Sequence, residues 1–261
     1  MFAKTELDAF QRDGFFTVPH FFDPAEVRLL QSEIDRLKRD GKLRNVATDG
    51  DGATTSKTRK NLQLCPVNPF SEPFKALPFS QKVVNAVSQL IGDPVRLRLD
   101  QVFLKPAKDG AGTNWHQDNA YFRVAEPLRG VAMWIAVHDA TVANGTMHMA
   151  PGMHHLELEH RRDPDSDHHI RCWPDETNET ACELEAGGVV FFCYGTPHCT
   201  KGNGSDRDRA GLAYHFYNSN FPPNDGATGG MPFLTLSAAQ GGTVEYGADQ
   251  RGLWDQFVNS V

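Results

Sequence analysis

No apolar run in this chain approaches the ~20 residues that a membrane-crossing helix needs, so a membrane partner is not expected. The opening residues Met1-Phe2-Ala3-Lys4-Thr5-Glu6-Leu7-Asp8 carry charges where a signal peptide would have its apolar core, and a cytoplasmic location is the expectation. Cysteine is scarce and unpatterned. Its five copies are odd in number and lack CxxC spacing, which supports neither a disulfide framework nor a thiolate zinc site. Positive charge is in the minority as well, with 26 Lys and Arg against 33 Asp and Glu and a formal net charge of -7. Such a chain has no electrostatic footprint for nucleic acid, and a small-molecule partner is expected instead. Internal repeats and the glycine patterns of dinucleotide and phosphate loops are also missing. The oligomeric state stays open.

What is present suffices for a sizeable core: 261 residues, 39% hydrophobic and 10% aromatic. One domain spanning 1–261 is expected, with a helical N-terminal part over 1–94, a strand-rich core over 95–220 and a C-terminal extension over 221–261. Thr5 with Asp8 reads as the opening of a short helix, and Gly14 to Pro19 as an edge strand closed by proline. After Asp23-Pro24, Val27, Leu30, Ile34 and Leu37 recur at near-helical spacing, as Val83, Val84, Val87 and Leu90 do before Gly92. Residues 41–60, rich in Gly, Asp, Thr, Ser, Lys and Arg, are long for an ordinary loop and read as a candidate lid. From residue 95 short strand-like runs follow at 95–104, 130–137, 146–150, 188–192 and 209–217, broken by Gly and Pro turns. The fold class is therefore mainly β with flanking helices, a sandwich or jelly roll.

The chemistry gathers around Trp115-His116-Gln117-Asp118 and Thr196-Pro197-His198. If the first segment is a strand, its period of two projects His116 and Asp118 from one face. His198 would then complete a 2-His-1-carboxylate facial triad, which holds Fe(II) at three neighbouring corners of an octahedron and leaves three open.

These residues resemble the phytanoyl-CoA dioxygenase family of Fe(II)/2-oxoglutarate oxygenases. The resemblance runs from Gly14-Phe15-Phe16 through the HxD, Asn144-Gly145-Thr146 and Ala150-Pro151-Gly152-Met153-His154 to Arg209. It implies a double-stranded β-helix, with His116, Asp118 and His198 as ligands of Fe(II). It also implies that Arg209, eleven residues beyond His198, binds the far carboxylate of 2-oxoglutarate, assisted by the Thr200 hydroxyl. Trp134 would line the cosubstrate pocket and Gln101 would contact the cosubstrate. Arginine suits its role because its planar guanidinium can hold a carboxylate by two hydrogen bonds. The implied reaction consumes O2 and 2-oxoglutarate, releases succinate and CO2, and hydroxylates an aliphatic C–H of a small metabolite. Because related halogenases lack the ligand carboxylate, Asp118 favours hydroxylation over halide transfer; desaturation and cyclisation use the same site.

Two readings from other classes remain at this stage. A zinc hydrolase would use the same ligands to activate water, but leaves Arg209 without a role, and a non-catalytic jelly-roll binding protein would have no need of all three ligands. Asn119, Tyr121 and Phe122 are candidate substrate-facing residues. Arg59, Lys60, Arg98, Lys105 and Arg123 read mostly as solvated surface charge, and His154, His155, His160, His168 and His169 read equally as solvated loop histidines or as functional ones. His148 and His215 read as cavity-facing or hydrogen-bonded core residues, the latter reading preferred for His215.

Overall fold

The computed structural model describes residues 1–224, 234–235 and 241–261. Helix α1 (Lys4–Asp13) has Ala3 at its N-cap, where the Ala3 N–H donates to the Glu6 carboxylate at 2.6 Å. The helix therefore starts before the Thr5–Asp8 pair, because Glu6 rather than Asp8 can reach back to an open N–H. Strand β1 (Phe15–Val18) leads to α2 (Pro24–Arg39), whose Asp23 cap accepts from the Ala25 and Glu26 N–H groups at 2.8 and 3.0 Å. Its Leu29, Leu30, Ile34 and Leu37 are buried.

Then follow β2 (Arg44–Asn45), β3 (Leu62–Leu64), α3 (Glu72–Ala76), α4 (Gln81–Ile91), β4 (Val95–Lys105), β5 (Thr113–His116), α5 (Asn119–Phe122), β6 (Gly130–Ala136) and β7 (Met147–Met149). The chain continues through β8 (Arg161–Arg162), β9 (Ile170–Arg171), β10 (Thr180–Cys182), β11 (Val189–Cys193), β12 (His198–Thr200) and β13 (Arg209–Asn218). It closes with β14 (Leu234–Thr235), α6 (Thr243–Tyr246) and α7 (Leu253–Val258), while 225–233 and 236–240 of the expected C-terminal extension lie outside the described residues.

One antiparallel sheet has the order β1-β11-β6-β13-β4-β3-β2, with β14 against β4, and a second has the order β10-β7-β12-β5. Strand periodicity sorts their side chains. On β6 and β11, Val131, Met133, Ile135, Val189 and Phe191 enter the core beneath the helices, whereas Ala132, Trp134, Val190 and Phe192 pack with Met147 and Met149 between the sheets. The result is a double-stranded β-helix with helices on one outer face, the jelly roll expected from the sequence.

Strand β4 departs from strict alternation. Leu99 pairs with His215 but Leu97 with Phe216, so Arg98 is an extra residue inserted into β4 between them. Before it, Val95 and Leu97 face the helices; after it, Val102 and Leu104 do. Gln101, Phe103 and Lys105 are thereby turned into the interior cavity.

Residues 41–60 do not form a lid over that cavity, and none of them lines it. Their polar backbone is satisfied against the β8–β9 hairpin instead. Thr48 N–H donates to Asp165 O at 3.0 Å, Gly52 N–H to Pro164 O at 2.8 Å, and Arg44 and Arg59 pair with Asp167 and Asp165. Among the described residues no helix is long and apolar enough to cross a membrane.

Candidate metal centre and anion pocket

Strand β5 pairs with β12 so that His116 and His198 stand directly opposite each other. Asp118 is not on the strand. The strand ends at His116, and Asp118 adopts helical backbone angles at the N-terminus of α5, its carbonyl accepting from the Tyr121 and Phe122 N–H groups at 3.0 Å. The expected period-two projection is thus replaced by a turn, which brings Asp118 Oδ1 to 3.8 Å from Nε2 of both histidines. Ligand atoms of the three residues lie within 4.8 Å of one another, close enough to surround one metal ion.

Both imidazoles are braced in the same way. His116 Nδ1 and His198 Nδ1 each sit 2.9 Å from the carbonyl oxygen two residues earlier, Asn114 O and Thr196 O. A proton on Nδ1 satisfies that carbonyl and leaves the Nε2 lone pair facing Asp118, the tautomer a metal ligand requires. Burial, with His116 alongside, pushes His198 down to about 3, so its ring is neutral at ordinary pH. Burial opposes the charge on Asp118, but the facing His215 and His198 outweigh it and hold the carboxyl well below the ordinary carboxylate range. His215 Nε2 lies 3.2 Å from Asp118 Oδ2, so the residue preferred as a core histidine reaches the cavity and contacts a candidate ligand. A signal for this was available: Arg209, Ala213 and His215 share one parity on one strand.

The three candidate ligands open into a cavity of about 220 Å³ whose other end is cationic. Arg209 is 1% exposed, lies 5.5 Å from the Trp134 ring and donates one hydrogen bond to Gly145 O. Its Nε has no partner and no carboxylate pairs with it among the described residues. Burial pulls this guanidinium down to about 9, still charged at neutral pH. A side chain at Gly211 would strike the Trp134 ring, so this glycine lets the indole lie flat beside Arg209. Lys105, expected among the surface charges, is instead buried here, donating to Thr200 Oγ1 at 2.7 Å and to Lys201 O. Its pKa is driven far below the lysine range by burial first and then by Arg209. Sequence reading missed it because the inserted Arg98 reverses which face of β4 looks inward.

The remaining expectations divide. Trp134, Thr200, Gln101, Tyr121 and Phe122 all line the cavity, with Gln101 Oε1 accepting from Gln63 Nε2 at 3.0 Å. Asn119 does not; its amide bonds Val124 N–H and O at 2.9 and 3.2 Å and closes its own turn. His169 is not a solvated loop residue, since it lines the cavity and is 9% exposed, whereas His168 borders the cavity and stays exposed. No local pattern marked them, because the hairpin that carries them is folded over the site by contacts with residues 44–59.

The donors present suit a divalent transition metal: two imidazoles and one carboxylate, near a buried guanidinium with which no carboxylate pairs among the described residues. A sequence profile described as Phytanoyl-CoA dioxygenase (PhyH) matches residues 10–211. The chain is 28% identical over 155 residues to an ectoine dioxygenase of Streptomyces anulatus, covering 58% of this chain and 51% of that one. It is 29% identical over 158 residues to an L-proline trans-4-hydroxylase of Streptomyces griseoviridis, covering 58% and 56%. These matches span about half the length of those relatives. Among solved structures, the epimerase SnoN in complex with Fe3+, alpha ketoglutarate and nogalamycin RO aligns with a TM-score of 0.71 at 21% identity, over 88% of this chain and 90% of that one. At that identity the likeness speaks to the fold.

Proposed function

The chain belongs to the phytanoyl-CoA dioxygenase family, and from that premise we propose that it is an Fe(II)- and 2-oxoglutarate-dependent dioxygenase that hydroxylates an aliphatic C–H of a small metabolite. His116, Asp118 and His198 would hold the iron. Bound Fe(II) and 2-oxoglutarate supply the oxidising power, O2 being consumed as 2-oxoglutarate is cleaved to succinate and CO2 and the second oxygen atom is delivered to the substrate.

The protein's own residues do the positioning. Arg209 offers its free donors to the far carboxylate of 2-oxoglutarate, with the Thr200 hydroxyl and the Lys105 amine beside it. Trp134 forms a flat wall along the cosubstrate. Asn114 O and Thr196 O keep the two imidazoles in their metal-facing tautomer. His215 steadies the Asp118 carboxylate. Asp118 supplies the carboxylate ligand, which favours hydroxylation over halide transfer. Desaturation or cyclisation would differ only in what the substrate places near the iron.

One observation carries the reading: a buried arginine with which no carboxylate pairs among the described residues shares a cavity with the His-Asp-His cluster. A zinc hydrolase gives that arginine nothing to bind. Anaerobic titration of the protein with Fe(II) and 2-oxoglutarate is expected to produce a weak visible charge-transfer band, absent with either component alone. Tight zinc binding with no 2-oxoglutarate binding would overturn the assignment.

A further inference from the structure

With the metal ligands and the cationic end set aside, the rest of the cavity wall has a distinct composition. Phe103, Tyr121 and Phe122 supply aromatic rings, His169 an imidazole, and Gln63 and Gln101 a hydrogen-bonded amide pair. Asp118 is the one carboxylate among the described residues that line it, and the metal site uses that group. A cationic substrate would leave water and meet no counter-charge, an unfavourable transfer. A flat neutral molecule meets ring faces along the wall and amide groups able to donate or accept.

His169 is placed to read such a molecule. Its ring lies 12° from parallel with that of His116, the centroids 6.1 Å apart, with Phe103 at 5.8 Å on another side. The hairpin turn holds it by its backbone: His169 O accepts from Asp163 N–H at 2.9 Å, and Asn114 Nδ2 ties the Asp163 carboxylate at 2.9 Å to the strand that carries His116. The His169 ring lines the cavity, and no described residue hydrogen-bonds it, so its nitrogens are left open to whatever the cavity holds. A polar ring that faces a cavity without a protein partner can take a ligand as that partner.

We propose that this cavity selects a neutral, flat substrate bearing hydrogen-bonding groups, and that His169, presented by the β8–β9 hairpin beside His116, is the residue that binds its polar edge. The oxidation of that substrate rests on the dioxygenase reading, whereas the binding preference does not.

The test uses the full chain loaded with Ni(II) and 2-oxoglutarate and an isosteric pair of probes, neutral benzamide and cationic benzamidine, followed by ligand-observed NMR. Benzamide is expected to bind at least about tenfold more tightly than benzamidine, the factor that ~1.4 kcal/mol gives. His169→Ala should weaken benzamide about fivefold and His169→Gln, which keeps a donor and an acceptor, should recover most of that loss. Both variants should bind 2-oxoglutarate within about twofold of the parent, which shows that the site is still folded. Equal or tighter binding of benzamidine, no saturable benzamide binding, or an unchanged benzamide affinity in His169→Ala would each overturn the proposal. If 2-oxoglutarate fails to bind while the benzamide preference persists, the dioxygenase reading falls and the substrate class stands.

Discussion

The two ends of the cavity treat buried charge in opposite ways. At the metal end, one carboxylate faces three imidazoles; the two that would bind metal are each oriented by a backbone carbonyl, and burial keeps His198 neutral. At the far end, Arg209 and Lys105 sit close together, and among the described residues their partners are hydroxyl, carbonyl and ring groups. A buried charge without a counter-ion is destabilising, so each end resembles half of an ion pair. The metal end lacks a cation and the far end lacks an anion. What each end lacks names the ligand it takes.

The largest expected effect breaks the metal end. His198→Ala should lower 2-oxoglutarate turnover by ~10³-fold or more, a barrier increase of ~4 kcal/mol, while calorimetry with Fe(II) under anaerobic conditions shows the loss of binding. Turnover retained in that variant would remove His198 from the metal site. The far end should respond differently. Arg209→Met, which keeps the volume and removes the charge, should raise the KM for 2-oxoglutarate about 100-fold, as expected when a buried charged partner is removed. The same change should raise the melting temperature of the ligand-free protein by about 2–4 °C, because a buried unpaired charge is gone. A lower melting temperature would mean that Arg209 is mainly structural. The smallest effect should come from His215→Phe, which removes the contact to Asp118: iron affinity should fall about tenfold with 2-oxoglutarate affinity unchanged. Equal losses for both ligands would show that His215 supports the whole cavity rather than one end.

Much of the candidate site was readable along the chain because its parts lie on short regular segments. His116 and Asp118 are two residues apart, and Thr200 and Arg209 follow His198 at short offsets on β12 and β13. Trp134 sits on a strand whose alternation is unbroken. Reading was weaker wherever a residue depends on elements distant in sequence. His169 reaches the cavity only because its hairpin is pinned to residues 44–59 and to Asn114. Asn119 has the right position for a substrate contact, yet its amide is consumed by Val124. Polar side chains next to a turn satisfy the local backbone first.

From the sequence alone came the mainly β fold with its longer strands β4, β6, β11 and β13 and the set of candidate metal-ligating residue types, since periodicity and motif spacing are local properties. Only the tertiary structure decided direction. One inserted residue, Arg98, reverses the inward face of β4 and carries Lys105 from the expected surface to the cationic end. A helical turn, rather than a strand, aims Asp118 at the two histidines. A bulge and a turn each change where every later side chain points without changing the pattern of residue types, and so the direction is settled by what packs across from them.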